Sequence, residues 1–171
     1  MKLTPSDKCY RLNREFEKLR TSAYKVGKGP EWTIGYGATY YENGEKIKEG
    51  DIITADRAIE LNRFQIGLFA YQASKCIFSD VSQTQFDSLV DFNFNTGKLC
   101  KSTLIKIVNA DPNHPDINDM FLRWIYDEGK ISDGIIRRRL SEIHLYRFGE
   151  LKYDWSAMDI KSVRDKVNGN H

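Results

Sequence analysis

The sequence has little cysteine and little histidine, three of each in 171 residues. The cysteines, Cys9, Cys76 and Cys100, are odd in number and far apart, which fits neither a disulfide framework nor a metal site. We therefore predict three reduced thiols in the protein core. The histidines are scattered among polar neighbours without metal-ligand spacing, so we expect no metal and no other cofactor.

A long hydrophobic run is also absent. No stretch is apolar enough to span a membrane, and the N-terminal segment carries charges throughout instead of the apolar run of a signal peptide. We expect a protein that is made in the cytoplasm and does not insert into a membrane.

Neither sign of charge dominates, since the sequence has 26 basic and 24 acidic side chains and a net charge of +2. This balance argues against a nucleic-acid partner, because nucleic-acid binders depend on a basic field. It permits an anionic partner without requiring one. Hydrophobic residues make up 40% and charged residues 29%, as in a folded chain of one domain or two small lobes.

The first third of the chain combines a helix pattern with a strand-and-turn pattern. Thr4–Asp7 has the capping residues and early proline of a helix start, and Glu17 falls in the last turn, beside the buried face. From Ala23 to Ile53, glycines separate aromatic and β-branched residues, and Asn43–Gly44 is a hairpin signal, so we predict a small β-sheet. The buried face of the helix is predicted to contain Cys9, Leu12, Phe16 and Leu19.

The rest of the chain carries helix signals. Thr54 predicts the cap of a long helix, and Ser82–Gln85 has the pattern of a capping box. The buried stripe of the long helix would be Ala58, Leu61, Phe64, Leu68 and Tyr71. Further helix starts are predicted at Ser102, Asp116 and Asp133. The polar residues after Leu151 predict a tail that frays.

These patterns predict a single domain of the α+β class over residues 1–171. We expect an N-terminal helix and β lobe over about 1–54, a linking helix over 55–78, a helical lobe over 79–150 and a polar tail over 151–171. Two lobes around a connecting helix leave a cleft, which is a common place for a functional site.

Several blocks of sequence, in order from about residue 10 to 149, resemble the phage lysozymes, glycoside hydrolase family 24. The first two blocks are EKLRTSAYK at Glu17–Lys25 and WTIGYGAT at Trp32–Thr39. The later blocks are residues 50–54, 82–90, 94–97, 100–104, 123–124 and 134–139. The resemblance implies a lysozyme-like fold, with a small N-terminal β-sheet lobe and a helical C-terminal lobe joined by a long helix.

The resemblance also implies an activity. It is that of a muramidase, which hydrolyses the β-1,4 bond between N-acetylmuramic acid and N-acetylglucosamine in bacterial peptidoglycan. The expected partner is therefore the peptidoglycan glycan strand, and we expect a monomer. The protein would be made in the host cytoplasm without a signal peptide and would act on the cell wall after release.

The family pattern has a Glu at the end of the first helix, an Asp nine residues later and a Thr in the first strand. Glu17 and Thr33 match the first and third positions and are the expected catalytic residues. The second position falls on Val26, or on Gly27 when counted back from Thr33, so the second carboxylate is missing. The histidine that the family commonly has after Gly-Tyr-Gly is Ala38 here.

Glu17 is suited to donating a proton to the leaving glycosidic oxygen. The negative end of the helix dipole favours its protonated form, and a nearby arginine, Arg137 or Arg138, would fix its position. The Arg137–Arg139 run is predicted to mix an internal ion pair with solvated charge. Thr33 would hold a water molecule. Without the resemblance, Glu17 is an ordinary surface glutamate and Thr33 an ordinary strand residue.

The missing carboxylate leaves three outcomes open. The enzyme hydrolyses more slowly with Glu17 and Thr33 alone, or it is a lytic transglycosylase that gives anhydro-muramyl products, or it is a catalytically silent homologue that binds peptidoglycan. One candidate fills the gap, since Glu31 and Thr33 would point to the same side of an extended segment 31–34. The alternative role of Glu31 is a solvated turn residue.

Substrate-binding residues follow from the resemblance as well. They are Tyr36, Phe94, Asn95, Ser102 and Thr103, the last four on the opposite wall of the cleft. The alternative roles are core packing for Phe94 and helix capping for the polar residues. The glycines of the Gly35–Gly37 run are not a phosphate loop and are predicted to let the strand bend and the substrate approach its backbone.

Overall fold

The N-terminal part of the chain consists of one helix and a small sheet, in a computed structural model that describes residues 3–27 and 29–169. Helix α1 (Asp7–Glu17) begins after Ser6, whose side chain accepts a hydrogen bond from the Lys8 backbone N–H. Strands β1 (Arg20–Lys25) and β2 (Trp32–Gly35) pair antiparallel. Single bridges extend this sheet at Ser22–Ile52, Ile34–Ala38 and Tyr40–Lys46.

Helices make up most of the remaining chain. They are α2 (Ala55–Ser74), α3 (Gln83–Thr96), a 3-10 turn (Leu99–Lys101), α4 (Thr103–Ala110), α5 (Ile117–Leu122), α6 (Asp133–Phe148) and α7 (Ala157–Asn168). A two-stranded hairpin of β3 (Tyr126–Asp127) and β4 (Lys130–Ile131) lies between α5 and α6. None of the helices within the described ranges is long and apolar enough to cross a bilayer.

Helix α2 contributes to two hydrophobic clusters. Its Leu61 packs with Ile34, Ala38 and Ile47 of the small lobe. Further along the same helix, Ile66, Ala70 and Ala73 belong to the large hydrophobic cluster of the helical lobe. The rings of Phe121 and Trp124 meet Phe92 edge-on in that large cluster, at centroid distances of 5.5 and 5.6 Å. A single rigid element thus ties the lobe that carries the sheet to the helical lobe.

The α+β prediction is confirmed, and so are the helix starts at Thr54, Ser82 and Ser102. Each of these side chains accepts a hydrogen bond from a backbone N–H in the first turn of its helix. Gly44 adopts a positive φ of 84° in the predicted turn. These outcomes depend on neighbouring residues alone, which is why the sequence predicts them.

Four local predictions are wrong. Leu19, assigned to the buried face of the first helix, lies beyond the end of α1 and is 39% exposed. The region after residue 54 is not entirely helical, because β3 and β4 form a hairpin there. The segment predicted to be a polar tail contains a helix: Ser156 starts α7 with a capping box, and Ile160 and Val163 of that helix are buried in the core. Tyr71 is 54% exposed although it was assigned to the buried stripe of α2.

The prediction of three reduced thiols is also wrong. Cys76 and Cys100 form a disulfide with their Cα atoms 5.4 Å apart, whereas Cys9 is a buried free thiol as predicted. The bond joins the segment after α2 to the 3-10 turn. The two cysteines come close together because segments that are distant in the sequence pack against each other. The spacing of the cysteines in the sequence does not predict this contact.

Candidate active site

A cavity of about 470 Å³ opens at the end of α1. Its volume lies within the ~300–1,000 Å³ typical of small-molecule sites. The structure brings Glu17, Thr33, Glu31 and Val26, all singled out in the sequence, into the lining of this one space. The other described residues that line it are Tyr24, Gly29, Pro30, Gly37 and Thr39.

The carboxyl group of Glu17 is held from two sides. Glu17 is the last residue of α1, and its Oε1 accepts a hydrogen bond from Nη1 of Arg138. Its Oε2 lies 3.1 Å from the position that a Cβ atom on Gly37 would take, and the ring of Phe94 lies 3.9 Å from the same position. The side chain remains 21% exposed. The carboxyl group is therefore fixed in orientation yet open to the cavity.

Arg138 reaches Glu17 from α6 and is itself only 4% exposed. Its Nε and Nη2 donate to the two carboxylate oxygens of Asp91 at 3.0 and 2.8 Å, which leaves Nη1 for Glu17. The guanidinium carbon lies 5.6 and 5.9 Å from the ring centroids of Phe16 and Phe94. A planar fork with several donors can satisfy two carboxylates at once, which an ammonium group cannot do with the same geometry.

Asp91, on α3, is buried in a network of polar side chains. Asn13 of α1 donates to its Oδ1 at 3.0 Å, and Asn62 of α2 donates to Asn13 at 2.8 Å. Burial alone would raise the pKa of Asp91, but the charge and hydrogen bonds of Arg138 hold that pKa below its usual value. The network thus joins α1, α2, α3 and α6 behind the carboxyl group of Glu17 through an ionised Asp91.

A second buried pair lies next to the first on α6. Nη1 of Arg139 is 2.9 Å from Oε2 of Glu142, and its Nη2 donates to Oδ1 of Asn95. Burial raises the pKa of Glu142 well above its usual range, although Arg139 opposes that rise. Arg137 instead donates to the backbone oxygen of Trp155. The predicted internal ion pair of this arginine run is present between Arg138 and Asp91, and Arg138 also contacts Glu17. The predicted solvated charge is wrong, because none of the three arginines is exposed.

Tyr24 enters the site from β1. It is paired with Thr33 of β2 in the sheet register, and directly opposed residues send their side chains to the same face. Burial raises the pKa of Tyr24, and the negative charge of Glu17 adds to the rise. Its phenol therefore stays neutral at physiological pH and can donate a hydrogen bond inside the cavity.

The predicted substrate-binding residues have different surroundings. Phe94 is half-buried beside Glu17 and Gly37. Asn95 is exposed, and its side-chain oxygen accepts a hydrogen bond from Arg139. Ser102 is buried and caps α4, accepting from the Ile105 N–H and donating to the Leu99 carbonyl. The remaining two are an exposed Thr103 in the first turn of α4 and a half-buried Tyr36 in the turn after β2.

Across the part of the chain that the structure describes, no group of three His, Cys, Asp or Glu side chains is arranged to hold a metal ion. The charged groups of the site are instead matched with one another, Arg138 with Asp91 and Glu17, and Arg139 with Glu142. What the site offers to a ligand is a carboxyl group, hydroxyl groups and an open cavity.

A family model described as phage lysozyme matches residues 14–142, which include both Glu17 and Arg138. The chain belongs to the phage lysozyme family. This is a family of glycoside hydrolases, and the resemblance seen in the sequence is confirmed.

Relatives of this phage lysozyme family occur in phages of different hosts. The endolysin of Bacillus phage B103 is 38% identical over 144 residues, which cover 82% of this chain and 53% of the relative. The endolysin of Salmonella phage P22 is 33% identical over 138 residues, covering 80% of this chain and 92% of the relative. The chain spans about half the length of the relatives from Bacillus phages B103 and PZA, 53% and 54% respectively.

Solved structures of the same fold are also similar. The endolysin from Escherichia coli O157:H7 phage FAHEc1 superposes with a TM-score of 0.79 at 29% identity, covering 88% of this chain and 97% of that one. The muramidase domain of SpmX from Asticaccaulis excentricus gives a TM-score of 0.73 at 28% identity, covering 85% and 98%. The lysozyme-like fold predicted from the resemblance is confirmed by these neighbours.

Tyr24 and two further contributors to the site were missed in the sequence. Asp91 and Asn13 build the network behind Glu17, and both side chains are buried on their helices. Asp91 stands between the apolar residues Val90 and Phe92, where a charged residue needs a buried partner, and that need was a usable signal. Gly37 was assigned to the approach of substrate, whereas in the structure it makes room for the carboxyl group of Glu17.

Proposed function

We propose that the protein is a muramidase that hydrolyses the β-1,4 bond between N-acetylmuramic acid and N-acetylglucosamine in bacterial peptidoglycan. The observation that carries the proposal is the carboxyl group of Glu17, held by a buried arginine at the wall of a cavity that also contains Glu31 and Thr33. Relatives named endolysin and a neighbour named muramidase support it.

Glu17 acts as the general acid in this mechanism. Its proton goes to the glycosidic oxygen as the bond to the sugar breaks and an oxocarbenium-like centre develops. The carboxyl group has to be ready in one orientation, and Arg138 and Gly37 restrict it. Because Asp91 already balances the charge of Arg138, Glu17 can hold a proton without leaving a buried arginine unpaired.

Glu31 supplies the second carboxylate. Val26 faces the cavity at the position where the family has an acid, and an aliphatic side chain cannot accept a proton from water. Glu31 lines the same cavity, and Nζ of Lys46 lies 3.5 Å from its Oε1. It takes the proton of the attacking water, while the hydroxyl groups of Thr33 and Tyr24 orient that water molecule.

A lytic transglycosylase would need no second carboxylate, because the hydroxyl of the muramyl sugar itself attacks. The presence of Glu31 in the cavity therefore favours hydrolysis over this alternative. In this proposal the protein acts as a monomer on peptidoglycan strands after release into the cell wall. A silent binding homologue would not require the oriented carboxyl group of Glu17.

The products of a peptidoglycan digest test the proposal directly. Purified cell walls are incubated with the protein and the soluble fragments are analysed by mass spectrometry. Reducing N-acetylmuramic acid ends are expected. Anhydro-muramyl ends would show that the protein is a transglycosylase and contradict the proposed hydrolysis. An absence of fragments would indicate a binding protein. Glu17→Gln keeps the shape of the side chain and is expected to lower the rate by at least ~10²-fold.

A further inference from the structure

Asn13 and Glu17 are four residues apart on α1, so their side chains project from the same face of that helix. Arg138 is connected to this face at both residues. Its Nη1 donates directly to Glu17, and its Nη2 donates to Oδ1 of Asp91, the same oxygen that accepts a hydrogen bond from Asn13. Asn13, Asp91, Arg138 and Glu17 therefore form a closed ring of hydrogen bonds that starts and ends on α1.

The ring fixes Asp91 relative to the helix that carries Glu17. Both bonds from Arg138 to Asp91 come from one guanidinium group on α6. Without a further partner, the two side chains would be free to move together relative to α1, and Nη1 would then leave Glu17. The bond from Asn13 to Asp91, at 3.0 Å, joins the pair to α1 and opposes this movement.

Asn13 is held in one amide orientation. Asn62 of α2 donates to its Oδ1 at 2.8 Å, so its Nδ2 group faces Asp91. Both amides are buried, and Oδ1 of Asn62 has no hydrogen-bond partner among the described residues. A buried amide with an unpaired oxygen contributes little to stability, which points to a role other than holding the fold together.

We propose that Asn13 is a positioning residue for the reaction: its hydrogen bond to Asp91 keeps Arg138, and through it the carboxyl group of Glu17, in the orientation that proton transfer requires. The inference rests on the proposed function, in which Glu17 is the acid. Asn13 is fully buried and is not among the described residues that line the cavity. It therefore acts through Asp91 and Arg138 and not on the substrate.

Asn13→Leu tests the proposal, because leucine has nearly the shape of asparagine but cannot form the hydrogen bond. The turnover of purified cell walls is expected to show a kcat that is about three- to tenfold lower, since a small displacement of the acid is enough for such a loss. KM should stay within about twofold of the wild-type value, because the lining of the cavity is unchanged.

Asn109→Leu is the matched control. Asn109, on α4, also joins two segments of the chain, since its Oδ1 accepts from the Phe78 N–H and its Nδ2 donates to the Cys76 carbonyl, each at 2.8 Å. It takes no part in the ring. Its substitution should lower the urea midpoint of unfolding and leave kcat and KM at the wild-type values.

Two further measurements keep the test independent of folding and of activity. If Asn13→Leu alone does not fold, the double variant Asn13→Leu and Asn62→Leu replaces it, because removing both amides leaves neither partner of their hydrogen bond unpaired. Nuclear magnetic resonance of the Arg138 side chain reports on the ring without any reaction. Separate Nη signals are expected in the wild type, where two carboxylates hold the guanidinium group, and averaged signals in the variant.

The proposal is overturned if the folded variant that lacks Asn13 keeps the wild-type kcat, or if Asn109→Leu loses as much activity. Unchanged Arg138 signals in the variant overturn it as well. If the signals average in the variant but the wild-type protein releases no fragments from cell walls, Asn13 does hold the arginine and the proposed hydrolysis fails.

Discussion

Gly37 leaves room for the carboxyl group of Glu17, because a Cβ atom on Gly37 would lie 3.1 Å from Oε2 of Glu17. Gly37→Ala therefore has to push the acid away from its position. A contact of this length makes the carboxyl group give way by a few tenths of an ångström. Because a displacement of ~1 Å costs about 10²-fold, we expect the rate of peptidoglycan hydrolysis to fall about three- to tenfold. Steady-state turnover of purified cell walls measures it.

The matched control is Gly44→Ala. Gly44 has nearly the same positive φ as Gly37, 84° against 90°, but no atom lies within 4 Å of the Cβ that the substitution would add. Both variants should lose about 1–2 kcal/mol of folding free energy from the left-handed backbone. Only Gly37→Ala should lose activity, and equal losses in both would show that backbone strain alone is responsible.

Asp91→Asn removes the buried charge that balances Arg138. We expect a loss of about 3 kcal/mol in the free energy of unfolding near neutral pH, because Arg138 keeps its charge but loses its buried partner. The pKa of Asp91 is lowered in the folded protein from an ordinary value of 3.8. Its stabilising contribution is therefore fully present above about pH 4 and is lost as the pH falls further.

Urea unfolding at several pH values measures this effect. The difference between wild type and Asp91→Asn should be constant from pH 5 to 7 and should shrink below about pH 4. Asp154→Asn changes an exposed carboxylate and should stay within ~0.5 kcal/mol of wild type. A difference that grows as the pH falls would contradict the assigned direction.

The Cys76–Cys100 bond closes a loop with a sequence separation of 24 residues. Such a cross-link typically stabilises a protein by ~3 kcal/mol, so the paired change Cys76→Ser and Cys100→Ser should lower the melting temperature by roughly 10 °C. A reductant should lower the melting temperature of the wild type and leave that of the double variant unchanged. Titration of the unreduced, unfolded wild type should find the single thiol of Cys9, and finding three would refute the bond.

Glu31→Gln tests the second carboxylate. If Glu31 accepts the proton of the attacking water, the substitution should lower kcat by at least ~10²-fold, because the amide has no basic oxygen. Glu45→Gln, an exposed glutamate in the neighbouring turn, is the comparison and should keep full activity. Unchanged turnover in Glu31→Gln would remove this residue from the mechanism.

Local signals in the sequence predicted local structure well. Ser82 and Gln85 form their capping box within three residues, and Glu17 lies in the last turn of its helix as predicted, although the helix ends before Leu19 of the predicted apolar face. The groups that hold Glu17 in place were harder to predict. Asp91 and Arg138 are 47 residues apart, and their contact exists only because α3 packs against α6. The Cys76–Cys100 bond has the same origin in packing between distant segments.

The candidate site shows the same division. Thr33, on β2, and Glu31, directly before that strand, line one cavity, as expected for side chains two residues apart on an extended segment. Ser102 could not be assigned in the same way, since a serine before an apolar run is equally suited to capping and to substrate contact. The structure uses its hydroxyl for the cap of α4.

Arg138 follows Glu17 by 121 positions along the chain. During synthesis, the whole β-sheet lobe leaves the ribosome before Arg138 has been added to the chain. Glu17 therefore lacks this hydrogen-bond partner until α6 has emerged and packed against α3. Unfinished chains that stop before α6 would therefore carry the acid without the arginine that orients it.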